Sequence, residues 1–142
     1  MKKPLETARR WLAQAEHSLS VTRLLIDNGV WSQACFQAEQ TAQLALKAFL
    51  FSLGRRYIHL HSVRELAQEC GKDDKEFLRF NTHGSVLDRY YLATRYPDAL
   101  PAPAVPFESF TQEDAEQAMA FVTEIVELVR AKIPGSPSAP AQ

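Results

Sequence analysis

The spacing of small and aromatic residues between positions 31 and 51 constrains this chain more than any other feature. Trp31, Cys35, Ala38, Ala42, Ala45 and Phe49 follow one another at alternating steps of four and three, which is one stripe of an α-helix. Ala34, Leu44, Ala48 and Phe51 add apolar surface on a neighbouring face. A helix apolar on two faces has to be covered on two sides, so it belongs at the centre of a multi-helix fold. Its alanines let neighbouring backbones come close.

The flanking segments supply the cover. Leu5, Ala8, Leu12, Ala15, Leu19, Thr22 and Ile26 repeat at steps of three and four, and Asp27-Asn28-Gly29 closes that helix, with Gly29 suited to a left-handed C-terminal position. Gly54 is the expected stop of the second helix. Ser62-Val63-Arg64-Glu65 reads as a capping box opening a short third helix with Val63, Leu66, Ala67 and Cys70, ended by Gly71. Asp73 or Asp74 is expected to cap a fourth helix with Phe77, Leu78 and Phe80, which Gly84 breaks or bends before Val86, Leu87, Tyr90 and Tyr91. Pro97, Pro101, Pro103 and Pro106 exclude a regular helix between Arg95 and Phe110. Thr111 caps a fifth helix, with Glu113 and Asp114 favourably placed in its first turn. Its stripe is Ala115, Ala118, Met119, Val122, Ile125, Val126 and Val129, and Pro134 ends it. No strand-like alternation competes. The expected fold is all-α: an up-and-down antiparallel bundle of four main helices plus one short helix over residues 5–133. PGSPSAPAQ, residues 134–142, is expected to be a disordered tail.

Composition narrows the setting. The 142 residues are 46% hydrophobic and 23% charged, the balance of a folded globular domain rather than a disordered or fibrous chain. No apolar run is long enough to cross a membrane. MKKPLETARRW lacks the apolar stretch of a secretory signal, and Cys35 and Cys70 are too few for a disulfide framework or a cysteine zinc site. A cytoplasmic location is therefore expected. The net charge of −1 hides an asymmetry. Residues 1–64 hold nine Lys/Arg and four Asp/Glu, a net of +5; residues 65–142 hold seven and thirteen, a net of −6. Either the first half builds a local basic surface, or the halves attract each other within one fold or across a dimer.

Motifs for familiar chemistries are missing. There is no glycine-rich phosphate loop and no His-Glu-x-x-His. Glu39, Glu65 and Glu69 have no Glu-x-x-His companion, which argues against a di-iron bundle; no cofactor is expected. Two polar clusters remain. The connection GRRYIHLHS carries Arg55, Arg56, Tyr57, His59 and His61. Its arginines offer forked donors for phosphate, and a histidine moves protons near neutral pH. Alternatively, His61 packs at the start of the third helix and the arginines stay in water. The second cluster runs from Asp88 through Arg89, Tyr90, Tyr91 and Arg95 to Tyr96, Pro97 and Asp98. It reads either as an anion-binding wall of Arg89, Arg95, Tyr96 and Asp98, or as a stitch in which Arg95 and Asp98 tie the long loop to the bundle.

The succession ARRWLAQAEHSL, Gly29 and Trp31, ACFQAEQTAQLALKAFLFSLG, HSVRELAQEC and RYPD resembles the HEPN domain family over residues 5–131. That resemblance implies an all-α bundle, commonly a homodimer, found in prokaryotes and often encoded beside a minimal nucleotidyltransferase, with which it can form a toxin–antitoxin pair. It further implies a nucleotide- or partner-binding role, with a metal-independent ribonuclease carrying an Arg-x(4–6)-His motif as the alternative. Arg55 and His61 have five residues between them and Arg56 and His61 have four, so these three are the candidate catalytic residues if the chain is a ribonuclease. The nuclease motif of the family normally lies on a later helix. There, Arg89 and Arg95 have no histidine at that spacing, and Arg79 and His83 are separated by only three residues. The binding role is therefore favoured, with Arg89, Arg95, Tyr96 and Asp98 as its residues and a nucleotide or RNA as ligand.

Overall fold

A computed structural model describes residues 3–136. Five helices follow in order: α1 (Pro4–Asp27), α2 (Trp31–Ser52), α3 (Val63–Gly71), α4 (Asn81–Asp88) and α5 (Gln112–Lys132). A 3-10 helix over Lys75–Phe80 leads into α4, and two 3-10 turns, Pro97–Ala99 and Pro106–Glu108, punctuate the proline-rich connection to α5. No strand occurs among the described residues.

Helix α1 begins on Pro4, where the missing N–H costs nothing. It buries Ala8, Leu12, Ala15, Ser18, Thr22 and Ile26, the expected stripe except that Leu5 stays half-buried and Ser18 goes in where Leu19 stays half-buried. Ser18 is satisfied there, because Thr41 Oγ1 donates to its hydroxyl at 2.7 Å. Gly29 takes φ +74°, so the three-residue reversal into α2 needs the one residue that enters the left-handed region freely.

Helix α2 is the hub, with thirteen of its 22 residues buried. It packs against α1 on one side, α5 on another and α3 near its C-terminal end. Helix α5 runs antiparallel to α1. Arg23 meets Glu116 at one end of the pair, Arg130 meets Glu16 further along, and the Arg9 guanidinium donates to the Pro134 carbonyl at the other end. Arg23–Glu116 and Arg55–Glu69 each join the positive half of the chain to the negative half. Thr111 and Asp114 form a reciprocal capping box at the start of α5.

Four local expectations are corrected. Phe77, Leu78 and Phe80 lie in the 3-10 helix, and α4 proper spans only Asn81–Asp88. Beyond Asp88 the chain continues as overlapping turns, with Tyr90 N–H donating to Leu87 and Arg95 N–H to Leu92. Arg89 and Arg95 therefore do not share a helix. Gly84 neither breaks nor bends α4. It lets α4 press on the start of α3, since a Cβ at Gly84 would lie 2.5 Å from Arg64 Cα and 2.6 Å from Arg64 N. At the α3 cap, Ser62 Oγ accepts from Glu65 N–H at 3.2 Å, but Glu65 does not reach back. Of the expected tail, Pro134–Ser136 are described, with Ser136 Oγ donating to the Ile133 carbonyl; residues 137–142 lie outside the described residues.

Gly84→Ala is expected to destabilise the fold by about 1–3 kcal/mol, because the methyl group meets backbone that cannot rotate away. Urea unfolding checks this; a change of less than about 0.5 kcal/mol, the scale of an indifferent surface substitution, would contradict the close α3–α4 approach.

Candidate functional site

Asp88, the last residue of α4, organises the site. Its Oδ1 accepts from Val63 N–H at 2.6 Å, and its Oδ2 accepts from Ser62 Oγ at 2.6 Å and from Arg64 N–H at 3.3 Å. The first turn of a helix has N–H groups without intrahelical partners and a partial positive charge. Asp88 therefore satisfies, from another helix, the first two amides of α3, Val63 and Arg64, while the Ser62 side chain accepts from the third, Glu65. The clamp brings the end of GRRYIHLHS and the start of the 89–96 turns to one place, beside a polar face of α2.

That face carries Phe36, Glu39, Gln40, Gln43 and Lys47 at helical spacing. Glu39 is 1% exposed. Its Oε1 accepts from Gln40 Nε2 and its Oε2 from Gln43 Nε2. Burial pushes the Glu39 carboxyl above the usual range; the two amides oppose this, Asp88 adds to it and Arg95 opposes it. Gln43 Oε1 accepts from Lys47 Nζ at 3.3 Å, and Lys47 Nζ lies 3.4 Å from His61 Nδ1. Burial holds the Lys47 ammonium below its usual range, with Glu39 pulling the other way.

Arg95 completes the site. Its Nε and Nη2 donate to the Tyr91 carbonyl at 2.9 and 2.6 Å, and its Nη1 reaches the Tyr96 hydroxyl at 3.3 Å. The guanidinium carbon sits 4.3 Å from the Phe36 ring centroid, 4.9 Å from Tyr91 and 4.8 Å from Tyr96. Among the described residues no carboxylate lies within ion-pair distance of it. Tyr91 and Tyr96 are 42% and 50% exposed. A fixed, stacked cation without a counter-ion, rimmed by accessible rings, suits a phosphate attached to a base.

The structure brings some of the expected residues together and not others. Arg95 and Tyr96 meet. Arg89 is the C-cap of α4 and exposed, and Asp98 lies exposed in the Pro97–Ala99 turn; neither makes a side-chain hydrogen bond among the described residues. Arg55 Nη1 pairs with Glu69 at 2.8 Å and its Nη2 with Asp73 at 3.6 Å, at the C-terminal end of α3. His61 precedes the N-terminus of the same helix, roughly 10 Å away along its axis at about 1.5 Å per residue. Arg56 is exposed and lines a cleft with Trp11 and Tyr57. Sequence reasoning did not assign Glu39, Gln43, Lys47 or Asp88 to the site. The available signal was three polar residues four apart, at 39, 43 and 47, on one stripe of a helix whose other stripes are largely apolar; Asp88 stood at the start of the second polar cluster, with nothing local to show that it would cap α3.

Comparison with known proteins agrees with this architecture. The HEPN domain family matches residues 8–132, and the chain belongs to that family. Human sacsin is 31% identical over 119 residues, covering 82% of this chain; the match spans only 3% of sacsin's own length. A Methanocaldococcus jannaschii protein named "Putative toxin MJ1304" is 23% identical over 133 residues, covering 89% of this chain and 88% of that protein. The crystal structure of TT1696 from Thermus thermophilus superposes with a TM-score of 0.82 at 34% identity, covering 88% of this chain and 97% of that one. That of ST0689, an archaeal HEPN homologue, superposes with a TM-score of 0.72 at 28% identity, covering 94% and 99%.

The raised Glu39 carboxyl makes a signed prediction. Between the unfolded carboxyl value, about 4.3, and the higher folded value, the folded chain holds more protons. Stability is therefore highest below that window and falls as pH rises through it. Glu39→Gln is expected to flatten this part of the stability–pH profile. Wild-type and variant profiles running parallel from pH 4 to pH 8, measured by urea unfolding, would contradict the assignment.

Proposed function

We propose that this HEPN bundle binds a nucleotide or RNA backbone at Arg95, Tyr96, Lys47 and His61. We further propose that it works as a homodimer beside a minimal nucleotidyltransferase, in a pair of the toxin–antitoxin type. The observation that supports the binding reading is Arg95: a guanidinium held by the Tyr91 carbonyl and three rings, with no carboxylate within ion-pair distance among the described residues. Arg89 adds charge at the edge of the site, and Asp98 stands exposed in the turn after Tyr96. The likeness to a protein named as a toxin supports the toxin side. In the ribonuclease alternative, His61 takes the proton from a ribose 2′-hydroxyl. Lys47, 3.4 Å from it, then bears on the phosphate charge more directly than Arg55, which Glu69 and Asp73 already occupy.

Calorimetric titration with ATP and with a short single-stranded RNA, at two salt concentrations, tests this. Arg95→Ala is expected to weaken binding about tenfold or more, a loss of ~1.4 kcal/mol, and to flatten its salt dependence. Unchanged affinity in a folded Arg95→Ala variant would remove the site. RNA cleavage that disappears in His61→Ala would instead establish the ribonuclease reading.

A further inference from the structure

A cleft of about 550 Å³ opens between the first turns of α1 and the end of α2. The Arg95 site makes no use of it, and its size falls within the ~300–1,000 Å³ of small-molecule sites. Trp11 and Phe51 form its floor, with ring centroids 4.9 Å apart and planes tilted by 49°. Both rings are half-buried against the core. Tyr57 stands at the rim, 81% exposed. Gly54, at φ +92°, turns the chain at the edge of the cleft, and a Cβ there would meet nothing within 4 Å among the described residues.

The two arginines of the lining differ in state. Arg55 is spoken for by Glu69 and Asp73, and its N–H also donates to the Leu50 carbonyl, so it holds the loop in place. Arg56 is exposed and has no carboxylate within ion-pair distance among the described residues. An aromatic floor favours a planar ring over an aliphatic chain, and an uncompensated guanidinium beside it favours an anion.

We propose that this cleft is a second small-molecule site, taking a planar aromatic ring that carries an anionic group: ring against Trp11, Phe51 and Tyr57, anion against Arg56. It lies at the end of α3 opposite His61 and is separate from the Arg95 site. Its occupancy is therefore independent of the proposed nucleotide site, and either reading can fail alone.

The test uses the full chain and 8-anilinonaphthalene-1-sulfonate, a sulfonate anion on a planar naphthalene ring, followed by fluorescence titration. Saturable one-to-one binding is expected, weakened about tenfold or more by Arg56→Glu and by Trp11→Leu. Phe107→Ser removes a 72%-exposed ring from the turn before α5, at the opposite end of the bundle, and is expected to leave binding unchanged. Equal weakening by Phe107→Ser would mean that the dye coats any exposed ring, and would overturn the site. Circular dichroism shows that each variant is folded. Competition then separates the sources of the ligand. Displacement by AMP alone points to a nucleotide, and displacement by indole-3-acetate, alone or with AMP, to aryl acids. Displacement by neither, displacement by inorganic phosphate alone, or unchanged affinity in Arg56→Glu and Trp11→Leu overturns the proposal.

Discussion

One carboxylate, that of Asp88, holds the start of α3 in place, and the rest of the polar face depends on it. It takes the Ser62 hydroxyl and the Val63 and Arg64 amides together. Hydrogen bonds to a charged group are worth about 1.5–3 kcal/mol net. They act here between positions 25 apart in the sequence, so they fix tertiary geometry and not only a helix end. Gly84, one turn earlier on α4, presses on the Arg64 backbone. The two contacts set the α3–α4 approach, and with it the position of His61 on one side and of the 89–96 turns on the other.

Helix α2 divides its labour between core and chemistry. Ala34, Ala38, Ala42 and Ala45 are fully buried and let α1 and α5 approach closely. The stripe through Glu39, Gln43 and Lys47 faces the clamp instead. Burying a carboxylate is unfavourable unless its lone pairs are met, and Gln40 and Gln43 meet them. A buried acid, a lysine with its ammonium disfavoured by burial and an arginine without a counter-ion, all beside one clamp, work against stability at that spot. Two groups shifted by burial, Glu39 and Lys47, thus share one stripe of α2 beside Arg95, the pattern that makes this face the candidate site.

The long helices were legible because their signals are local. The threes-and-fours stripes, Gly29, Gly54 and the Thr111 cap each act within a turn or two of chain. Gly84 was misread for the same reason: as a local signal glycine breaks a helix, and here its value is the space it leaves for Arg64 on another helix. Of the site, Arg95 and Tyr96 could be read from RYPD, because the tyrosine-rich segment and the proline stop lie next to each other. Pairing Arg55 or Arg56 with His61 was a count along the chain, and α3 intervenes between the Arg55 partners and His61. Asp88 could be read as the start of the second polar cluster but not as the cap of α3, since nothing near it in sequence shows that its partners lie about 25 positions away.

The central claim is that the Asp88 clamp makes Arg95 and the Lys47–His61 pair one anion site. Nuclear magnetic resonance of the full chain, titrated with ATP, tests it most directly. The account predicts that the Arg95 Nε–H signal and the His61 ring signals shift together along one saturation curve. Movement of only one of them, or two curves with different midpoints, would contradict it.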